Sequence, residues 1–297
     1  MRFALVLFLA TTIAATAATL DQPLSPVADT CLIEIAPDNN MGGQTYFNAG
    51  TTMQSTRNRG LLRFDLSQIP PGSVITSATL TLWVVGLPTD GPNGSIFDLH
   101  RMLQPWGEGS ELATVGAGRG SPATTNEATW NDRFAYANAP WINPGGEADA
   151  DFISDSSGEK FISDANSYDF RFGTIAQDLQ YWLDNPQVNF GWMLMTRDET
   201  EISTARRFGS REDPDNTPTL DITFIPATRI DTPSISGGQL NFSFVVFAQQ
   251  GYVVEYSDAL STNWNVLTNI SEQPAQTNIT ISDVLSQKQR FYRVNAQ

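Results

Sequence analysis

The chain has 297 residues and a net charge of −15, with 32 acidic against 17 basic side chains and a single histidine. Such a balance repels nucleic-acid phosphates and anionic membrane surfaces, so neither is expected as a partner. One histidine and one cysteine cannot complete a four-ligand zinc site without several carboxylates, and one cysteine permits no internal disulfide.

Met1 and Arg2 open the chain, an apolar run from Phe3 to Ala10 follows, and small residues come next. Ala15, Thr16 and Ala17 satisfy the small-x-small rule of signal peptidase, so residues 1–17 read as a signal peptide and the protein as secreted. The apolar run is shorter than the ~20 residues a bilayer span needs, so membrane insertion is not expected. An extended segment over 29–36 carries Cys31, which reads as a buried thiol without chemistry. A polar loop over 37–46 leads into Arg59–Val84, RGLLRFDLSQIPPGSVITSATLTLWV. Here Leu62, Phe64 and Leu66 alternate with Arg63 and Asp65, and Leu80, Leu82 and Val84 alternate with Thr79, Thr81 and Trp83. This period of two predicts strands on either side of a Pro-Pro-Gly turn, each with one face on a core and one face available.

A third strand is predicted over 95–103, then a loop-rich insertion over 104–151 that holds Trp106, Trp130 and Trp141. One helix is predicted: Thr174 can cap it, Ile175, Leu179, Trp182 and Leu183 form its apolar stripe, and Asn185-Pro186 stops it. Trp182 and Trp192 are expected in the core. Strands over 190–196, 204–209 and 219–225 complete a pattern of many short strands, which indicates an all-β jelly-roll sandwich with one short helix. Composition marks 228–238 as a linker. Strands near 239–247, 251–257, 263–268, 276–281 and 290–295 form a small C-terminal β-sandwich module over 239–297, similar to fibronectin III domains. The expected domains are therefore 18–227 and 239–297. The acidity is concentrated in the first, with 27 acidic and 12 basic residues over 18–226 against 5 and 4 over 227–297. Of the 17 basic residues only Lys160 and Lys288 are lysines, and arginine offers a planar fork for carboxylates. Most of these arginines are expected to pair internally.

The 59–84 stretch is joined, in order, by LHRMLQPWGEG at 99–109, ATWNDR at 128–133, PWINPGGEAD at 140–149 and RRFGSRE at 206–212. Together they resemble the DNRLRE domains, also classed as carbohydrate-binding module family 96, over about residues 28–225. RRFGSRE is the counterpart of the motif that names the family. The resemblance implies a jelly roll, a non-catalytic carbohydrate-binding role, and an extracellular polysaccharide partner. Because the family includes alginate-binding members, it also implies an acidic glycan. Arg63, Trp83, Trp130, Arg133, Arg207 and Arg211 are the expected carbohydrate-binding residues. Arg207 and Arg211, spaced by four in a strand, would stand ~13 Å apart on one side, compatible with successive uronate carboxylates. Internal pairing of Arg211 with Asp213 or Asp65 is the competing expectation.

Glu147, Asp149 and Asp151 follow a glycine pair and offer the hard oxygens that calcium prefers. A structural calcium site and a solvated acidic loop are equally open readings. Asp38, Asn39 and Asn40 form a second, weaker candidate. His100 has no Ser-His-Asp spacing around it and reads as structural. Two rival functions remain: a structural or adhesive cell-surface protein, and a polysaccharide lyase or hydrolase using paired carboxylates.

Overall fold

The computed structural model describes residues 5–8, 17–20, 22–89, 91, 94–113, 118–227, 230–231, 233–248, 250–259, 263–284 and 289–296. Two compact units divide the chain. One comprises 23–67 and 77–221, the other 1–22, 68–76 and 222–297. The second unit thus begins before the expected boundary at 227, because the strand Thr219–Ile225 runs from one unit into the other. Among the described residues no helix is long and apolar enough to cross a membrane. The expected cleavage after Ala17 falls at the edge of the undescribed residues 9–16.

The larger unit is all-β with one helix. Its strands are β1 (Pro26–Ile33), β2 (Tyr46–Thr51), β3 (Arg57–Phe64), β4 (Val74–Gly86), β5 (Ser95–Arg101), β6 (Gly158–Ile162), β7 (Ser167–Phe170), β8 (Trp192–Thr196), β9 (Arg206–Gly209) and β10 (Thr219–Ile225). They form one curled sheet in the order β6-β5-β8-β3-β2-β9-β4-β10, with β1 also on β3 and β7 also on β4. β3 has three partners on two edges. β1 runs along one, from Pro26 opposite Phe64 to Ile33 opposite Asn58. The other is shared by β8, opposite Leu62–Gly60, and β2, opposite Asn58 and Arg57.

Leu62, Phe64, Leu66, Leu80, Leu82 and Val84 are all buried, as the alternation predicts, while Arg63 is half-buried and Asp65 exposed. Yet β3 and β4 do not pair; two strands separate them in the sheet order. The sheet instead curls so that Phe208 of β9 meets Phe97 of β5 edge-on at 5.4 Å and stacks on Phe47 of β2 at 5.6 Å. β3 and β4 therefore lie in opposed layers with their leucines between. Arg63 and Trp83, each alternating with core residues, lie on strands that do not pair.

The outer side of β3 is not open either. Ala28 and Leu32 of β1, Leu61 of β3, and Met193 and Met195 of β8 pack with Met102, Trp106, Ala128, Trp130, Trp141 and Phe152 in a second core. The long 102–152 segment roofs the sheet. Each large aromatic buried this way removes ~150–250 Å² from water, roughly 4–6 kcal/mol of hydrophobic free energy before ordering costs. The backbone of this roof is satisfied by polar pegs. Trp106 donates its indole N–H to the Phe190 carbonyl at 2.8 Å and Trp141 to that of Thr129 at 2.9 Å. Asn40, fully buried, donates to the carbonyls of Glu108 and Ala128 at 2.8 and 2.9 Å. Gly145 has φ +87°, and a Cβ there would stand 2.6 Å from the Trp130 ring, so only glycine passes over that indole.

The helix α1 (Ile175–Asp184) lies where the periodicity places it. Thr174 precedes it without a side-chain capping bond, contrary to the expected cap, and Asn185 closes it ahead of the short 3₁₀ turn Pro186–Val188. Trp182 and Trp192 are buried and meet edge-on at 4.6 Å, and Trp192 donates to Asp178 Oδ2 at 2.8 Å.

In the smaller unit β11 (Gln239–Val246), β12 (Tyr252–Ser257), β13 (Asn265–Ile270), β14 (Thr277–Val284) and β15 (Gln289–Ala296) lie close to the expected strands. β11 pairs β14 and the short strand Ser234–Ser236, which makes the linker shorter than composition suggests. β12 pairs β13 and β15, and Leu5–Phe8 runs parallel to Gln289–Tyr292. Phe242, Phe244, Tyr252 and Tyr292 are central to its core.

Candidate functional site

Strand β9 is held between β2 and β4, with Arg207 opposite Asn48 on one side and Gly86 on the other. Alternation along β9 places Arg206 with the core residue Phe208, and Arg207 on the outer side. The Arg207 guanidinium lies 4.6 Å from the Tyr46 ring centroid. Gly86 leaves room for the arginine stem, since a Cβ there would meet Arg207 Cδ at 3.0 Å.

A cleft of about 280 Å³ opens here, lined among others by Asn48, Thr52, Asn58, Gly86, Arg206 and Arg207. Arg206 is only 2 % exposed. Its Nη1 donates to the Thr204 carbonyl at 2.9 Å and to those of Ser203 and Ala205 at 3.4 Å, and its Nε is buried without a partner. Burial pushes its pKa below the ordinary arginine value, and the charge of Glu201 only partly opposes this. Asn58 Oδ1, in the same lining, is also buried without a partner. Among the described residues neither Arg206 nor Arg207 forms an ion pair, whereas Arg57, Arg59, Arg101, Arg171, Arg197, Arg211, Arg290 and Arg293 all do. Internal pairing is thus common in this acidic chain; among the described residues Arg63, Arg119 and Arg133 also lack an ion pair, and in the cleft two adjacent arginines lack one. Chemically it can accept an anionic or hydroxyl-rich group beside a cation–π platform.

Of the six expected carbohydrate-binding residues, only Arg207 lines this cleft. Trp130 is 4 % exposed, with Arg57 and Arg59 over its ring at 4.9 and 5.6 Å; it plugs the loop layer, as do Trp106 and Trp141. Arg63 lies 5.8 Å over Trp106. Arg133 donates to the carbonyls of Pro140 and Pro105 at 3.3 and 3.5 Å, tying the same layer together. Trp83 is half-buried beside Ser167.

Arg211 does not continue the Arg207 side, because β9 ends at Gly209 and the chain turns. It pairs internally, with Glu108 and, at 3.0 Å, Glu212, rather than with Asp213 or Asp65. Its backbone N–H donates to Asp29 Oδ2 at 2.7 Å, and the Asp29 N–H donates to Glu108 Oε1 at 2.9 Å. Burial pushes the Asp29 pKa up to about 8, with the charges of Glu212 and Glu108 adding to the effect. Burial also raises Glu212.

Glu147, Asp149 and Asp151 do not converge as calcium ligands. Asp151 Oδ2 accepts the N–H groups of Ile142 and Glu147 at 2.9 and 2.8 Å, Asp149 Oδ1 accepts that of Ser154 at 2.9 Å, and Glu147 Oε2 accepts from Asn143 at 2.5 Å. The Ser154 bonds hold Asp149 below the usual carboxylate range. Among the described residues no three His, Cys, Asp or Glu side chains gather in a metal-holding group. These carboxylates shape turns. Asp38 and Asn40 are likewise spent, on Asn131 and on the loop carbonyls. His100 is buried, with Nδ1 3.0 Å from the Ile153 carbonyl, and burial lowers its pKa. Cys31 is fully buried and its pKa is pushed up to about 12.

Sequence reasoning missed Arg206, Asn48 and Asn58; the adjacent pair RR at 206–207 was the one available signal. No family model matches the chain, and no curated protein matches it.

Proposed function

We propose that this is a secreted, non-catalytic module that binds an extracellular polysaccharide, an acidic, alginate-like glycan, through the Arg206–Arg207 cleft. The observation that carries this reading is the pair of adjacent arginines without ion-pair partners among the described residues, in a protein of net charge −15. Arg207, half-buried on the outer side and without an ion pair among the described residues, offers its guanidinium to a ligand carboxylate. Tyr46 beneath Arg207 and the amides of Asn48 and Asn58 add an aromatic surface and neutral hydrogen-bonding groups of the kind sugars use. The resemblance to DNRLRE domains supports the same substrate class. The carboxylates that gather elsewhere, Asp29, Glu108 and Glu212, are engaged by Arg211, which counts against a hydrolase reading.

Affinity electrophoresis in alginate gels tests it. Arg207→Ala should migrate freely where the parent is retarded, with an unchanged melting temperature, and retardation of the parent should weaken with salt. Equal retardation of parent and variant would reject the cleft as the site.

A further inference from the structure

A second cleft, of about 260 Å³, has in its lining Gly94, Ser95, Phe161, Thr196, Asp198 and Glu201. Residues 86–88 and 205–207 line the first, and residues 94–96 and 196–198 the second. Phe161 lies on β6, the terminal strand of the sheet order, and is 58 % exposed, so its ring is open to a ligand. Its ring is held against the Gly94 backbone, where any Cβ would overlap it. Ser95 Oγ and Thr196 Oγ1, in residues that are 6 % and 2 % exposed, have no hydrogen-bond partner. Asp198 is exposed and held ionised by Thr200, which bonds only its Oδ1. Glu201 is exposed too, and its carboxylate makes no bond among the described residues. Arg197, also in the lining, is paired with Asp98 and Glu159.

We propose that this cleft is a subsite for a neutral pyranose residue. The C–H face of the sugar lies on Phe161, and its hydroxyls donate to Asp198 and Glu201 in charge-assisted hydrogen bonds. The same two carboxylates repel a uronate, so the two clefts select opposite chemistries. The inference extends the carbohydrate reading above, but it stands on its own residues and is tested separately.

The test is titration of the methyl-labelled protein with mannohexaose, cellohexaose and laminarihexaose, with triguluronate as the anionic counterpart, followed at the Ile96 methyls beside Phe161. At least one neutral sugar should shift the Ile96 signals and triguluronate should not. Phe161→Ala should weaken that neutral sugar by about tenfold, the scale of one aromatic contact, while Phe161→Tyr retains it. Both variants should melt with the parent. Silence of Ile96 toward all three neutral sugars, or equal affinity in Phe161→Ala, overturns the subsite. Arg207→Ala separates the two readings: loss of alginate binding in that variant with a silent Ile96 removes only this inference. A responsive Ile96 with alginate binding indifferent to Arg207 removes only the anionic cleft.

Discussion

Arg59 and Glu199, 140 positions apart in the chain, meet in a two-pronged ion pair, Nε to Oε1 at 2.8 Å and Nη2 to Oε2 at 2.6 Å. The remaining prong of Arg59 donates to the carbonyls of Gly145 and Gly146 at 2.9 and 3.0 Å, so one guanidinium fastens the loop layer to the sheet beneath. Its side chain is 8 % exposed. Arg59→Met should therefore cost about 3 kcal/mol, mostly by stranding Glu199 and two loop carbonyls. Adding Glu199→Met should recover part of that loss, a coupling measurable by urea unfolding of the four-member cycle. Additive losses would show that the pair is not coupled.

Arg211→Ala should lower the melting temperature without a specific effect on polysaccharide affinity, because Arg211 separates Asp29, Glu108 and Glu212. A loss of about 1–2 kcal/mol is expected for a partly exposed charge-assisted network. Differential scanning calorimetry and alginate affinity on one sample decide it. An unchanged melting temperature with lost binding would move Arg211 into the ligand site.

Asp29 gives a pH signature. In the unfolded chain its carboxyl titrates near ~4, and in the folded protein near about 8. Between those values the folded state holds a proton that the unfolded chain has released. The contribution is complete below ~4 and is lost as pH rises to about 8. Arg211, Glu108 and Glu212 face the group in parent and variant alike. Asp29→Asn should thus gain on the parent in melting temperature as pH goes from 4 to 8, and parallel profiles would refute the protonated Asp29.

Phe64, 2 % exposed and edge-on to Trp192 at 6.3 Å, should cost about 3–5 kcal/mol when cut to alanine. Denaturant unfolding followed by circular dichroism reads this directly. A loss under about 1 kcal/mol would contradict its place in the inter-layer core.

The alternations at 62–66 and 80–84 were readable because one face of each strand is fully buried, which imprints a period of two. Tyr46–Thr51, Gly158–Ile162 and Ser167–Phe170 escaped because each is short and carries only one or two large apolar residues. Tryptophan in a glycine-rich loop was ambiguous between platform and plug; what decides it is the number of backbone carbonyls the loop must satisfy, which no local window shows. Arg211 misled because the strand stops at Gly209, two residues before the spacing argument needs it. The cleft itself joins positions 48, 58, 86 and 206–207 from four strands, so only the sheet order assembles it.

The roof over the sheet also has a kinetic side. Its fastenings span long stretches of chain: 86 positions from Arg59 to Gly145, 88 from Asn40 to Ala128, and 84 from Trp106 to Phe190. Such contacts demand closure entropy before burial repays it, and the strands below must already be aligned to receive them. The roof should therefore settle last in refolding, with indole emission maturing on a slower phase than far-ultraviolet ellipticity.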